Sequence, residues 1–317
     1  MYLVTGGGGF IGSHLVRELV LRGDRVRVLD NESSGGHWRI GDVLPDVEWM
    51  TGDVRDIAMV QQACQGVEVV LHHAAIASVP RSVREPEMTH EVNVTGTLNI
   101  LVAARAAGVR RVVFASSAAV YGDLATSPKV ESQLTWPVSP YGVQKHAAES
   151  YCRVYPHLYG LETVALRYFN IFGPGQDPAS DYAAVIPRFI SAILSGRSPI
   201  VYGDGEQTRD FLFVRNVVEI NLLAATVPAA NGPVLNVGAG AAISLNQLLV
   251  ELRRITDREF NITYQPERSG DIRESVADIG LLRATLGYSP TISFADGLVR
   301  TVDAYRQEIS ATAAAGI

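Results

Sequence analysis

Residues 1–13, MYLVTGGGGFIGS, decide the fold. Met1 to Thr5 is a short apolar run that stops at four glycines, Gly6 to Gly9. Phe10 to Arg22 then carries Ile11, Leu15, Leu19 and Val20 on one face of a helix, which Gly23 ends. Gly7-x-Gly9-x-x-Gly12 fits the GxGxxG spacing, and Gly6-x-x-Gly9-x-x-Gly12 fits a second glycine spacing of the same use. Glycine permits a tight strand-to-helix turn and lets a pyrophosphate approach the backbone at the positive end of the helix. The next strand, Arg25 to Asp30, ends in a carboxylate 18 residues after Gly12. An acid there can accept both ribose hydroxyls of NAD and repels the 2′-phosphate of NADP. Asn31, and the lack of an arginine beside Asp30, point the same way.

Outward from this unit the chain keeps alternating. Strands are expected at Val47–Met50, Val67–Leu71, Arg111–Ser116 and Thr163–Phe169, and helices at Asp56–Gly66, Val92–Gly108 and Tyr141–Tyr159, with Pro156 kinking or ending the last. That order predicts an α/β fold, a doubly wound parallel Rossmann sheet with helices on both faces. After Phe169 the texture changes. Residues 173–182, GPGQDPASDY, are turn formers. A helix at 184–195, hairpin-like segments near 199–214 and the charged stretch 266–274 suggest a smaller α+β substrate-binding domain. Val234–Val237 reads as a buried strand returning to the main sheet. The expected division is residues 1–171 plus about 212–240 for the dinucleotide domain, and about 172–211 and 241–317 for the other. The last eight residues, SATAAAGI, read as a frayed tail.

Composition narrows the class. Hydrophobic residues make up 47% and charged residues 19% of 317, the balance of a globular protein. Lys plus Arg is 27 against 33 Asp plus Glu, so no basic excess drives nucleic-acid binding. Cys64 and Cys152 form no CxxC pair, the seven histidines show no HExxH spacing, and no apolar run approaches a membrane span. The expectation is no metal, no membrane and no nucleic-acid partner. The start of the chain lacks signal-peptide features, which suggests a cytoplasmic setting.

Tyr141 and Lys145, four apart at a helix start, project from one face. A cation beside a phenol favours phenolate and lowers a pKa of about 10 toward neutral, making Tyr141 a candidate acid/base for an alcohol proton. Ser117 offers a hydroxyl at the carboxyl end of the fifth strand, the edge where such sheets bind ligands. Asp53 reads either as an adenine-amino acceptor or, more commonly for such a residue, as the N-cap of the next helix. His72 and His73 read as strand-end histidines with satisfied hydrogen bonds.

These pieces together with HHAA, Asn93-x-x-Gly96-Thr97, SSAAVYG and RYFNIFGP resemble the extended short-chain dehydrogenase/reductase family. GDGEQTRDF and RSGDIRESVADI resemble its UDP-hexose 4-epimerase branch, and the likeness runs over about residues 1–305. The resemblance implies a catalytic set of Ser117, Tyr141 and Lys145. It implies NAD contacts from Gly6, Gly9, Phe10, Ile11, Gly12, Asp30, Asn31, Asp53, Val54, Ala74, Asn93 and Lys145. For a UDP-sugar it implies Ala77, Ser117, Ala118, Tyr141, Asn170, Gln176, Ala184, Val185, Tyr202, Arg209, Arg268, Asp271 and Ser275, with Arg268 and Asp271 on its phosphates and uridine ribose. Ser275 aligns with a gate position, where a small residue suits an N-acetylated sugar. Ala118 replaces the acid that related dehydratases carry after the catalytic Ser/Thr, so chemistry needing an extra acid/base is disfavoured. The expected activity is interconversion of gluco and galacto UDP-sugars, N-acetylated ones included, by a homodimer. The alternatives are a UDP-glucuronate-type 4-epimerase, with Arg81 as the nearby cation, and a non-catalytic dinucleotide sensor.

Overall fold

The computed structural model describes residues 1–178, 184–267 and 272–314, with side chains through Ser310. The first half builds β1 (Tyr2–Thr5), α1 (Phe10–Leu21), β2 (Val26–Asp30), β3 (Val47–Thr51), α2 (Ile57–Cys64) and β4 (Val69–His72). It continues with α3 (Val79–Arg84), α4 (Pro86–His90), a π turn at Glu91–Thr95, α5 (Gly96–Ala106), β5 (Arg111–Ser117), α6 (Pro140–Tyr159) and β6 (Glu162–Tyr168). The second half holds β7 (Asn170–Phe172), α7 (Val185–Leu194), β8 (Ile200–Tyr202), β9 (Thr208–Arg209), β10 (Phe211–Phe213), α8 (Val214–Thr226) and β11 (Val234–Val237). β12 (Ile243–Ser244), α9 (Leu245–Thr256), β13 (Thr263–Gln265), β14 (Glu274–Ser275), α10 (Gly280–Leu286) and α11 (Phe294–Ala314) complete it.

Seven strands form one parallel sheet in the order β3-β2-β1-β4-β5-β6-β11. Its strands are apolar on both faces because both are covered. Val4, Val28, Leu71, Val113, Leu166 and Leu235 pack with Leu15, Val16 and Leu19 of α1 and Val217 and Val218 of α8. Their neighbours Leu3, Leu29, Val70, Val112, Phe114 and Ala165 pack on the other side with Val60 of α2, Leu101 of α5 and Ala148 of α6. The order reverses between β1 and β4, whose carboxyl ends flank a crevice of the kind that holds ligands in such sheets. A separate core under α7, α9 and α11, with Phe172, Phe189, Leu248 and Tyr305, roofs that crevice.

Several elements differ from the expectation. The 199–214 segments are not hairpins: β8 pairs in parallel with β13, β10 in parallel with β7, and β9 lies between β12 and β14. Pro156 lies inside α6, which runs one residue short of Gly160 before the left-handed cap there ends it. In place of one helix from Val92, α4, the π turn and α5 follow one another. The N-cap of α2 is Asp56, which accepts from the amides of Ala58 and Met59. Of the expected frayed tail, residues 310–314 are helical, and 315–317 lie outside the described residues.

Candidate active site

One cavity of about 1760 Å³ runs along the carboxyl edge of the sheet. Gly6, Gly9, Phe10, Ile11 and Gly12 line one end. The turn has no room for side chains: a Cβ on Gly12 would stand 2.0 Å from the Gly6 carbonyl oxygen, and one on Gly6 (φ +70°) 2.8 Å from the Ala74 amide. Gly9 caps α1, so the first free amides of the helix face the cavity edge, where an anion is favoured. The turn therefore fits a diphosphate.

Asp30, Asn31, Val54 and Ala74 line the same end. Asp30 is nearly buried. Its Oδ2 accepts from the Gly8 amide at 2.8 Å and its Oδ1 from the Glu32 amide at 2.7 Å. The carboxylate thus locks the glycine turn as well as facing the cavity, and one lone pair on each oxygen remains for a ribose hydroxyl. Asp53 is absent from the lining. It accepts from Arg55 Nη2 and Asn31 Nδ2, each at 2.9 Å, and Arg55 beside it holds its carboxyl down at about 2. Asn93 is also absent from the lining: its amide exchanges hydrogen bonds with both backbone groups of Ile76 and donates to Gln144 Oε1 at 2.8 Å. Gln144 in turn donates to Thr89 and the Pro86 carbonyl. Asn93 therefore braces the loop after β4 against α6, a network that the sequence spacing does not reveal.

Ser117, Tyr141 and Lys145 come together in the middle of the cavity. β5 delivers Ser117 at its last residue, and α6 delivers the other two one turn apart. Burial pushes the Tyr141 phenol up to about 12, while the adjacent Ser117 hydroxyl pulls it down. The expected lowering by Lys145 is not what the protein alone produces. The Lys145 ammonium donates to the Ala115 carbonyl at 2.8 Å and stands 5.9 Å from the Tyr141 ring centre. Burial draws its own pKa down to about 8.

At the far end lie Ala77, Asn170, Gln176, Ala184, Val185, Tyr202 and Arg209. Arg209 donates to the Ile272 carbonyl at 2.6 Å. Residues 174–176 cross this end and are tied to three elements: Pro174 to His14 of α1, Gly175 to Arg39, and Gln176 to Tyr305 of α11. Ala118 is not on the lining; it opens a 3₁₀ turn and packs against the core beneath α1 and α8. Ser275 is not on the lining either, but pairs in register with Arg209 on the adjacent strand. Arg268 and Asp271 lie outside the described residues. His72 bonds Thr5 and Thr97, as expected of a satisfied strand-end histidine. His73 bonds Tyr168 and lines the cavity. Among the described residues no cluster of ligands could hold a metal ion, and no helix is long and apolar enough to cross a membrane.

We expect NAD to be the nucleotide held at this end. Protein purified and then denatured should release NAD, and Asp30→Ala should relax its preference over NADP. NADP as the main released species would overturn the assignment of Asp30.

The NAD dependent epimerase/dehydratase family matches residues 2–238. A UDP-glucose 4-epimerase of Mycolicibacterium smegmatis is 37% identical over 310 residues, covering 96% of this chain and 98% of its own. A UDP-N-acetylglucosamine 4-epimerase of Methanobrevibacter ruminantium, solved with UDP-N-acetylmuramic acid, is 39% identical, with TM-score 0.93 over 97% of this chain and 98% of that one. A UDP-glucose 4-epimerase of Thermus thermophilus, solved with NAD, is 36% identical, with TM-score 0.87 over 96% and 98%.

Proposed function

The chain belongs to the NAD-dependent epimerase/dehydratase family, as a UDP-sugar 4-epimerase using NAD, and on that premise we propose that it turns over both N-acetylated and plain UDP-hexoses with Ser117, Tyr141 and Lys145 as catalytic residues. The observation that carries this reading is the convergence of those three side chains in one cavity with the glycine turn and Asp30. Bound NAD would supply a reversible two-electron acceptor for the hydrogen on C4. Tyr141 takes the proton of the sugar O4 and later returns it, so no net proton is consumed. The Ser117 hydroxyl orients O4 toward the phenol. The Lys145 ammonium favours the phenolate that appears during turnover. Arg209, on the far lining, would meet the diphosphate of the UDP-sugar. In the same reading Asn93 and Ala118 act behind the site, and Asp53 orders Asn31 at its rim.

Ala77 and Ala184 on the lining leave room for an N-acetyl group. Ser275, one strand from Arg209, is the proposed gate. Ser275 is off the lining, so a Tyr there would act by crowding the sugar end beside Arg209; it should lower the kcat/KM ratio of N-acetylated over plain sugar about tenfold, since overpacking costs about 1–3 kcal/mol. An unchanged ratio would remove Ser275 from the gate. The UDP-glucuronate-type reading keeps Arg81 as its cation: it lines the cavity, and its ion pair with Glu85 at 3.2 Å is partly exposed and weak.

α5 and α6 expose Val102, Val143, Tyr151, Val154 and Leu158. We propose that two copies meet across these helices. Light scattering that returns the mass of a single chain at working concentration would contradict it.

A further inference from the structure

Tyr141 sits in the first turn of α6, where amides lack partners within the helix. Pro140 has no N–H, the Gly142 amide donates to the Ser139 side chain at 3.1 Å, and the Val143 amide to the Ser139 carbonyl at 3.0 Å. The Tyr141 amide alone in this turn reaches outside the segment, to Ser82 Oγ of α3, 59 residues away, at 3.0 Å. Ser82 is fully buried, and its hydroxyl hydrogen is committed to the Val79 carbonyl at 2.6 Å. Its lone pair is therefore aimed at Tyr141 by a fixed rotamer.

The opposite side of the turn is equally constrained. A Cβ on Gly142 would stand 2.6 Å from the Ala119 carbonyl oxygen, so the helix start rests directly on the turn that follows Ser117. Tyr141 is clamped between that turn and α3. The same short helix and the residues before it present Ala77, Ser78, Arg81 and Arg84 to the cavity. One buried hydroxyl thus joins the sugar-side wall to the backbone of the phenol.

We propose that Ser82 is a positioning residue, which sets the height of Tyr141 against Ser117 and ties it to the wall that contacts the sugar. The proposal rests on Tyr141 being the acid/base. Ser82 touches neither substrate nor cofactor; its effect passes through the phenol. Loss of the hydroxyl leaves the Tyr141 amide without its acceptor and frees the first turn to shift, and displacements near 1 Å cost about 10²-fold in rate.

The test is a double-mutant cycle on the NAD-loaded enzyme. Ser82→Ala should lower kcat about 10- to 100-fold. KM should stay within about threefold of wild type, the retained NAD should be unchanged, and Ser82→Thr, which keeps the acceptor, should recover most of the rate. In a Tyr141→Phe background the same substitution should have almost no further effect, because the group it positions is gone. A kcat for Ser82→Ala within threefold of wild type overturns the proposal. So does a fall that multiplies fully with that of Tyr141→Phe, or one that tracks loss of NAD or UDP binding. Failure of the acid/base assignment would show separately, as high turnover in Tyr141→Phe alone.

Discussion

Tyr141→Phe should fold, keep its NAD and bind a UDP-sugar nearly as tightly as wild type, while turnover falls about 10²- to 10⁴-fold, the usual worth of a positioned acid/base. The change removes one hydroxyl from a ring whose position is set by the backbone of α6, so packing is preserved. The expected profile is a loss in kcat with little change in KM, the mark of an interaction made during reaction rather than in binding. Steady-state turnover, with UDP binding by calorimetry, separates the two. A loss below about tenfold would mean that another group moves the O4 proton.

The largest effect on stability should come from Glu149→Ala. Glu149 lies one helical turn beyond Lys145 on α6 and is nearly inaccessible, as is Arg167 on β6. The pair is bidentate, at 2.6 and 2.9 Å, and Glu149 also accepts from Ser116 at 2.8 Å, directly before Ser117. Arg167 continues the network to the Tyr121 hydroxyl at 2.8 Å, and Tyr121 donates to Asn236 of β11 at 2.7 Å. Removing the carboxylate strands a buried guanidinium, a change that costs about 3–5 kcal/mol. Replacing both partners by Met should cost far less, since no charge is then left unpaired. Urea unfolding of the three proteins checks this; equal losses for the single and double variants would show that shape, not charge, holds the site together.

The glycine turn, the sheet and the Ser117–Tyr141–Lys145 set are legible in the sequence because each is written locally. MYLVTGGGGFIGS carries a strand, a turn and a helix in thirteen residues, and a four-residue spacing fixes Tyr141 and Lys145 on one face. Features set by distant partners are not. β8 finds its neighbour in β13, more than sixty residues on, so alternation around 199–214 shows a strand without showing its pairing. Asn93 looks like a ligand residue in its motif but spends its amide on Ile76 and Gln144. Ser82 carries no signal at all, since one serine in a short helix becomes informative only when the Tyr141 amide is seen to reach it. The phenol shows the same limit. Spacing places a cation near Tyr141, but burial decides the pKa of the protein alone, and that depends on everything packed around the ring.

Purified protein, with no nucleotide added, is given a panel of UDP-sugars deuterated at C4: glucose, galactose, their N-acetylated 2-amino forms and glucuronate. Products are then resolved by chromatography and mass. A 4-epimerase that moves the C4 hydrogen to a retained cofactor and back predicts C4 epimers that keep the deuterium, for the N-acetylated pair as well as the plain one. Epimers that have exchanged the label with solvent, or no C4 epimer from any sugar of the panel, would contradict it.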